Sequence, residues 1–460
     1  MMVTDEAYYS QIADALRERL LTDRTFRPSE MASAIYSIPT AGDIYAHTAL
    51  YDQSVSGYAS FIASSAFANY AISGAEFAMC EAIGDDAFYS CIRMTTALFP
   101  RCTMIGASAF GVCVTMSSVD FTSCERVGAY AFNACRSLPS VDMPHCVEVG
   151  GGAFQACSAL SDVSLPSCES VGATAFANCR SLAEIALPAC REIGPSSFLN
   201  CSAMTTVDLP ACRTVGNSAF SDCSVLTTAS LPVCTTVGYG AFYRCSSLAS
   251  VDLPACTVVG SHAFAYCKSL ATISLPECTY VGSYAFNGCS SLTTVSLPEC
   301  AYVDSYAFNG CSSLTTVSLP ECTTVGGYAF AFCSALTTVN MPLVKALSGG
   351  VFRGCHNIES VSLPACETIG NVAFEFCSRI SEFVVPSAVT YIGGGAFDYC
   401  SNLMTFDLTN VTSVPTYGGG VFDETPIGRG FGRILVPSWL YETYTHAGGW
   451  AYHSSVMVPV

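Results

Sequence analysis

Residues 289–310 read Cys-Ser-Ser-Leu-Thr-Thr-Val-Ser-Leu-Pro-Glu-Cys-Ala-Tyr-Val-Asp-Ser-Tyr-Ala-Phe-Asn-Gly, and this stretch decides the fold because the whole chain beats to its length. Cys289 belongs to a ladder that follows Ala-Phe-x-x-Cys and steps by 22 residues from Cys91 to Cys377, then to Cys400 after one inserted residue. Cys300 belongs to a second ladder that follows Leu-Pro-x-Cys and runs from Cys80 to Cys366, with Val344 and Ala388 substituting. Together the ladders account for all 28 cysteines. Phenylalanine keeps the same 22-residue beat from Phe88 to Phe374. A fixed period this short means that each unit is one supersecondary coil, which buries its apolar side by stacking on its neighbours.

Within the coil, Thr294-Val295-Ser296-Leu297 alternates polar and apolar and is partly β-branched, which predicts a short strand in a parallel sheet on one face. Pro298 ends that strand, since proline offers no ladder donor. Gly282 and Gly326, and Asp304 in the same slot, are expected to supply a turn of positive φ. Ala307 and Phe308 put a small and a large residue against the core on the return side. Pro276–Val295 recurs as Pro298–Val317 with only Thr279/Ala301 and Gly282/Asp304 changed. Such near-identity points to duplication, which a stack held by nearest-neighbour terms tolerates.

The phrase Ile/Val-Gly-x-x-Ala-Phe-x-x-Cys-x-x-Leu-x-x-Val-x-Leu-Pro resembles the BspA-type, or Treponema-type, leucine-rich repeat over roughly residues 57 to 425. That family more often has a 23-residue coil with Val after the proline, a form that Pro386–Gly393 keeps. The resemblance implies a leucine-rich-repeat-like right-handed solenoid and a bacterial surface protein that attaches to a partner. The expected organisation is a helical N-terminal module over 1–45, a degenerate first coil over 46–90, the solenoid over 91–410 and a C-terminal cap over 411–460. Ile12, Leu16 and Leu20 predict one amphipathic helix in Asp5–Leu21, and Pro28-Ser29-Glu30 opens a second. Ile12-Ala-Asp-Ala-Leu-Arg and Pro28-Ser-Glu-Met-Ala-Ser-Ala-Ile35 are similar to the short N-terminal module of prophage tail-associated proteins.

Composition narrows the function. With 36 acidic and 18 basic side chains the net charge is −18, which argues against nucleic acid and anionic membrane as partners. No run approaches the eighteen or so apolar residues of a membrane span, and Met1–Ser10 lacks the pattern of an export leader. The cysteines are expected as buried free thiols. Equivalent residues on adjacent coils sit about 4.8 Å apart, against roughly 3.5–4.5 Å between the Cβ atoms of a disulfide, and no tight pair offers zinc ligands. Neither metal nor cofactor is expected.

Catalysis finds no obvious set. His47, His145, His262, His356, His446 and His453 are scattered among coils and caps, each expected as a surface variant of its position. Asp120, Asp142, Asp208 and Asp252 line one outward column and could serve a glycan-cleaving enzyme, although a solvated acidic face is the favoured reading, since no pocket or apolar wall is implied around them. The chain is therefore read as a non-enzymatic scaffold that binds a cell-surface protein or glycan, with a tail-associated or receptor-binding component as the alternative. Tyr280 and Tyr302 share one column, Tyr284, Tyr306 and Tyr328 another, and the strand face adds Thr294, Ser296, Thr316 and Ser318. These nine residues are the candidate binding surface, tyrosine being prominent where proteins recognise partners.

Overall fold

The structure, a computed structural model, describes residues 54–460 and divides into two compact units, the first ending at Leu187 and the second beginning at Pro188. The helices expected near Ile12 and Pro28 lie outside the described residues. Each unit is a parallel β-solenoid with one coil per repeat of about 22 residues.

In the first unit, Ser54–Ser56, Gly74–Glu76, Thr96–Leu98 and Ser118–Asp120 pair in parallel, Thr96 lying opposite Ser118. In the second, Thr272–Ser274 pairs with Thr294–Ser296, and Thr316–Ser318 with Thr338–Asn340 and then Ser360–Ser362. The three-residue ladder is the expected parallel sheet on one face, and the coils carry a further strand beside it. A second parallel ladder of two-residue strands runs through Tyr280–Val281, Tyr302–Val303 and Thr324–Val325, and through Ala82–Ile83, Met104–Ile105 and Arg126–Val127 in the first unit. Two residues are enough for one inward and one outward side chain: Val303 is buried and Tyr302 exposed. Such a strand is too short to show as alternation in sequence. The chain returns between the ladders through turns such as residues 305–310. Among the described residues, α-helix is confined to Tyr441–His446.

The repeated phenylalanines form the core. Phe88 and Phe110 stack at 5.1 Å and 3° in the first unit, and Phe286 and Phe308 at 5.1 Å and 6° in the second. Each fully buried ring contributes on the order of 1.5–3 kcal/mol. All 28 cysteines are free and buried. They are also donors: Cys289 Sγ donates to the carbonyl of Phe264 in the preceding coil at 3.1 Å, while Cys278 Sγ donates to the Tyr280 carbonyl at 3.3 Å. Burial pushes the Cys289 thiol up to about 12.

The glycine slot after the second strand has a different cause from the one expected. Gly282 and Gly326 are not in the left-handed region; a Cβ at Gly282 would lie 2.6 Å from the Ser261 amide nitrogen of the preceding coil. Close backbone approach sets the slot, and Asp304 occupies it with its carboxylate turned to the Ser305 amide at 2.6 Å. Positive φ falls instead two residues later, at Tyr284, Tyr306 and Tyr328, and again four beyond that, at Gly288, Gly310 and Phe332.

Candidate functional site

The two-residue ladder turns Tyr280 and Tyr302 outward because Val281 and Val303 take the core side. Their backbones are in register, and the rings stack at 5.5 Å and 17°. The Tyr280 hydroxyl donates to Asp304 Oδ2 at 3.3 Å. Partial burial, with the Asp304 charge beside it, raises the Tyr280 phenol above its ordinary value.

Tyr284, Tyr306 and Tyr328 open the return turn, with φ of 58°, 59° and 57°. A non-glycine residue held there costs roughly 1–2 kcal/mol. The rings offset part of that: Tyr284 and Tyr306 stack at 4.6 Å and 2°, Tyr306 and Tyr328 at 5.1 Å and 10°, and such pairs contribute about 0.5–1.5 kcal/mol each. The far side of Tyr328 lies against Gly350, where a Cβ would come within 2.8 Å of the ring's Cζ. On the near side the column continues into His262, stacked on Tyr284 at 4.8 Å and 7° with φ 58°. His262 is thus a half-buried stacking partner, and desolvation lowers its pKa.

The five tyrosines form two stacks, and among the described residues no ring of one stack touches a ring of the other. Other aromatic residues widen the return-turn surface. Tyr266 and Phe332 occupy the second positive-φ column at 40% and 49% exposure. Tyr266 meets Tyr243 edge-on at 5.7 Å, and the Arg244 guanidinium lies 5.0 Å over the Tyr243 ring. Tyr239 packs tilted against His262 at 5.3 Å. Sequence reading passed over these because they do not recur in consecutive coils. The 22-residue offset of His262 from Tyr284 was the one available signal.

Thr294, Ser296, Thr316 and Ser318 are exposed on the three-residue ladder, a separate face from the tyrosines. The threonines just before these strands are engaged, Thr293 Oγ1 donating to the Ala271 carbonyl at 3.0 Å and Thr315 Oγ1 to that of Thr293 at 3.4 Å. In the acidic column, Asp208 and Asp252 stand in register with Ser230 between them, and Asp120 Oδ1 accepts from the Thr122 amide at 3.3 Å. A cleft of about 430 Å³ lies elsewhere, lined by Tyr399, Met404, Glu424, Pro426, Arg429 and Phe431 among others. Among the described residues, no three His, Cys, Asp or Glu side chains are grouped to hold a metal ion, and no helix is long and apolar enough to cross a membrane.

A family model described as a BspA type leucine rich repeat region matches residues 60–182, 147–271, 235–359 and 344–428. No curated protein matches the chain. Among solved structures, a leucine-rich repeat protein from Bacteroides ovatus is similar at 21% identity and a TM-score of 0.58, over 83% of this chain and 88% of that one. A leucine rich cell surface protein from Faecalibacterium prausnitzii matches at 20% identity and a TM-score of 0.37, over 66% of this chain and 83% of that one.

Proposed function

This chain belongs to the BspA-type leucine-rich repeat family, and from that premise we propose that it is a non-enzymatic recognition scaffold whose return-turn aromatic surface in the second unit binds a macromolecule at a cell surface. The observation that carries the reading is the column His262, Tyr284, Tyr306 and Tyr328. Four large rings in succession occupy a backbone conformation that glycine would adopt without strain, and an aromatic row kept against backbone preference motivates a functional reading. Stacked as they are, Tyr284 and Tyr306 have a ring on each face, so the column offers edges and hydroxyls, not open faces. That favours a protein partner over a sugar lying flat on a ring. The hydroxyl face of Thr294, Ser296, Thr316 and Ser318 is its secondary element.

The test is capture of the labelled chain on intact bacterial cells, host epithelial cells and extracellular matrix. Its control is a variant with Tyr280→Ala and Tyr302→Ala and with Tyr284, Tyr306 and Tyr328 each changed to Asn, which tolerates positive φ. Host-selective capture lost in the variant supports an adhesin; bacteria-selective capture supports the tail-associated reading that the residues around Ile12 suggest. Capture unchanged by the variant, with the circular dichroism spectrum retained, removes the tyrosines from the site.

A further inference from the structure

Residues 269–344 contain Glu277, Glu299, Asp304 and Glu321 but no Lys, Arg or His. All five candidate tyrosines lie in this same stretch. Glu277, Glu299 and Glu321 hold one repeat position, all three are exposed, and among the described residues none forms an ion pair; the pairs formed downstream join Lys345 to Glu367, Arg353 to Glu375, Arg379 to Glu359 and Arg429 to Glu424. Equivalent positions on adjacent coils are about 4.8 Å apart, and like charges placed opposite one another are unfavourable. Following the chain round one coil, Glu299 stands at the corner after the strand Thr294–Ser296, Tyr302 comes next on the outer face of the two-residue strand, and Tyr306 opens the return turn. The outer face of Tyr280–Val281, Tyr302–Val303 and Thr324–Val325 is therefore a tyrosine-bearing sheet surface bordered by uncompensated carboxylates at the coil spacing.

We propose that this face docks a cationic polypeptide segment running along the coil stack, its Lys or Arg side chains meeting Glu277, Glu299 and Glu321 while its backbone and stems lie against Tyr280 and Tyr302. The proposal rests on the reading of the tyrosine columns as the recognition surface and specifies the partner. Charge complementarity selects it. Anionic partners are repelled, and a second copy of this chain would bring its own carboxylates to the same face.

The experiment measures fluorescence anisotropy of dye-labelled dodecalysine, a neutral Gly-Ser peptide of equal length and a labelled chitosan oligomer against the full chain. The variant carries Glu277→Gln, Glu299→Gln and Glu321→Gln. A control carries Asp142→Asn, Asp162→Asn and Glu169→Gln, which changes net charge equally in the first unit. The expected result is dodecalysine binding that weakens about tenfold in the first variant and less than twofold in the second, falls with added salt and is reduced by Tyr302→Ala. Equal weakening in both variants, absence of dodecalysine binding, or preference for chitosan would overturn the proposal. If the glutamate variant keeps a cell-surface partner that the tyrosine variant loses, the recognition reading stands and the cationic partner falls.

Discussion

Cys113 Sγ donates to the carbonyl of Phe88, 3.1 Å away and 25 residues earlier, so a thiol ties each coil to the one before it while filling the core beside the phenylalanine stack. The same bond recurs from Cys245 to Phe220, Cys289 to Phe264 and Cys355 to Phe330. A buried thiol is thus both a small apolar filler and a weak donor.

Two substitutions separate those roles. Cys289→Ala removes both and should cost about 1–2 kcal/mol. Cys289→Ser keeps a donor and should cost no more than Ala; a markedly larger loss for Ser in urea denaturation would reduce the thiol to packing alone. In native protein few thiols should react with an aromatic disulfide reagent, and after denaturation close to all 28.

Alkali should be the chain's weakness. Burial raises Cys135, Cys223 and Cys289 from an ordinary value of 9.0 to about 12. A group raised on folding contributes stability that is complete below its unfolded pKa and is lost as pH climbs through the folded one. The urea midpoint should hold between pH 7 and 8 and fall progressively from about pH 9 upward. A midpoint flat to pH 11 would contradict the burial described.

Val112 is a β-branched residue at φ 63° in a column where Asn69, Asn178 and Asn200 stand at 65°, 64° and 59°. Val112→Asn should stabilise the chain by about 1 kcal/mol, read as a raised thermal midpoint. Val112→Ile should give no such gain.

Gly282 and Gly310 should respond differently to alanine. At Gly282 the new Cβ meets the Ser261 nitrogen and the Gly260 carbonyl carbon at 2.6 and 2.9 Å, which calls for a backbone shift costing about 1–3 kcal/mol. At Gly310 it meets nothing nearer than 3.8 Å, leaving only the strain of φ 72°, about 1 kcal/mol. Equal melting points for the two variants would deny the close approach.

Trp450 is buried against Tyr417 and Tyr444 and donates from Nε1 to the Pro415 carbonyl at 2.7 Å, whereas Trp439 is 67% exposed. Trp450→Ala should cost about 3–5 kcal/mol and Trp439→Phe under 0.5. In the Trp439→Phe background the remaining emission should be blue-shifted and move red on unfolding.

The coil length, the two cysteine ladders and the phenylalanine column were legible because each is a side chain in the core, where burial forces repetition. The second strand ladder was hidden in Tyr302-Val303, too short to announce a period. The glycine slot was assigned to turn geometry because sequence cannot distinguish a glycine chosen for its φ from one chosen for lack of a Cβ. On the candidate surface, the stacking of Tyr280 on Tyr302 and of Tyr306 on Tyr284 and Tyr328 was legible from the repeat columns. What escaped was His262, whose ring plays tyrosine's part without tyrosine's name, and the isolated Tyr239, Tyr266 and Phe332.

The Phe286 amide donates to the Ala307 carbonyl and that of Phe308 to Ala329, so part of a coil's backbone is satisfied by residues about one repeat later, 21 positions on in these two coils. During translation a coil therefore emerges with those amides still bare until the next has been made. The folding front trails the ribosome by one turn of the stack, and a stalled nascent chain presents a raw edge that a chaperone, or a neighbouring nascent copy, can occupy.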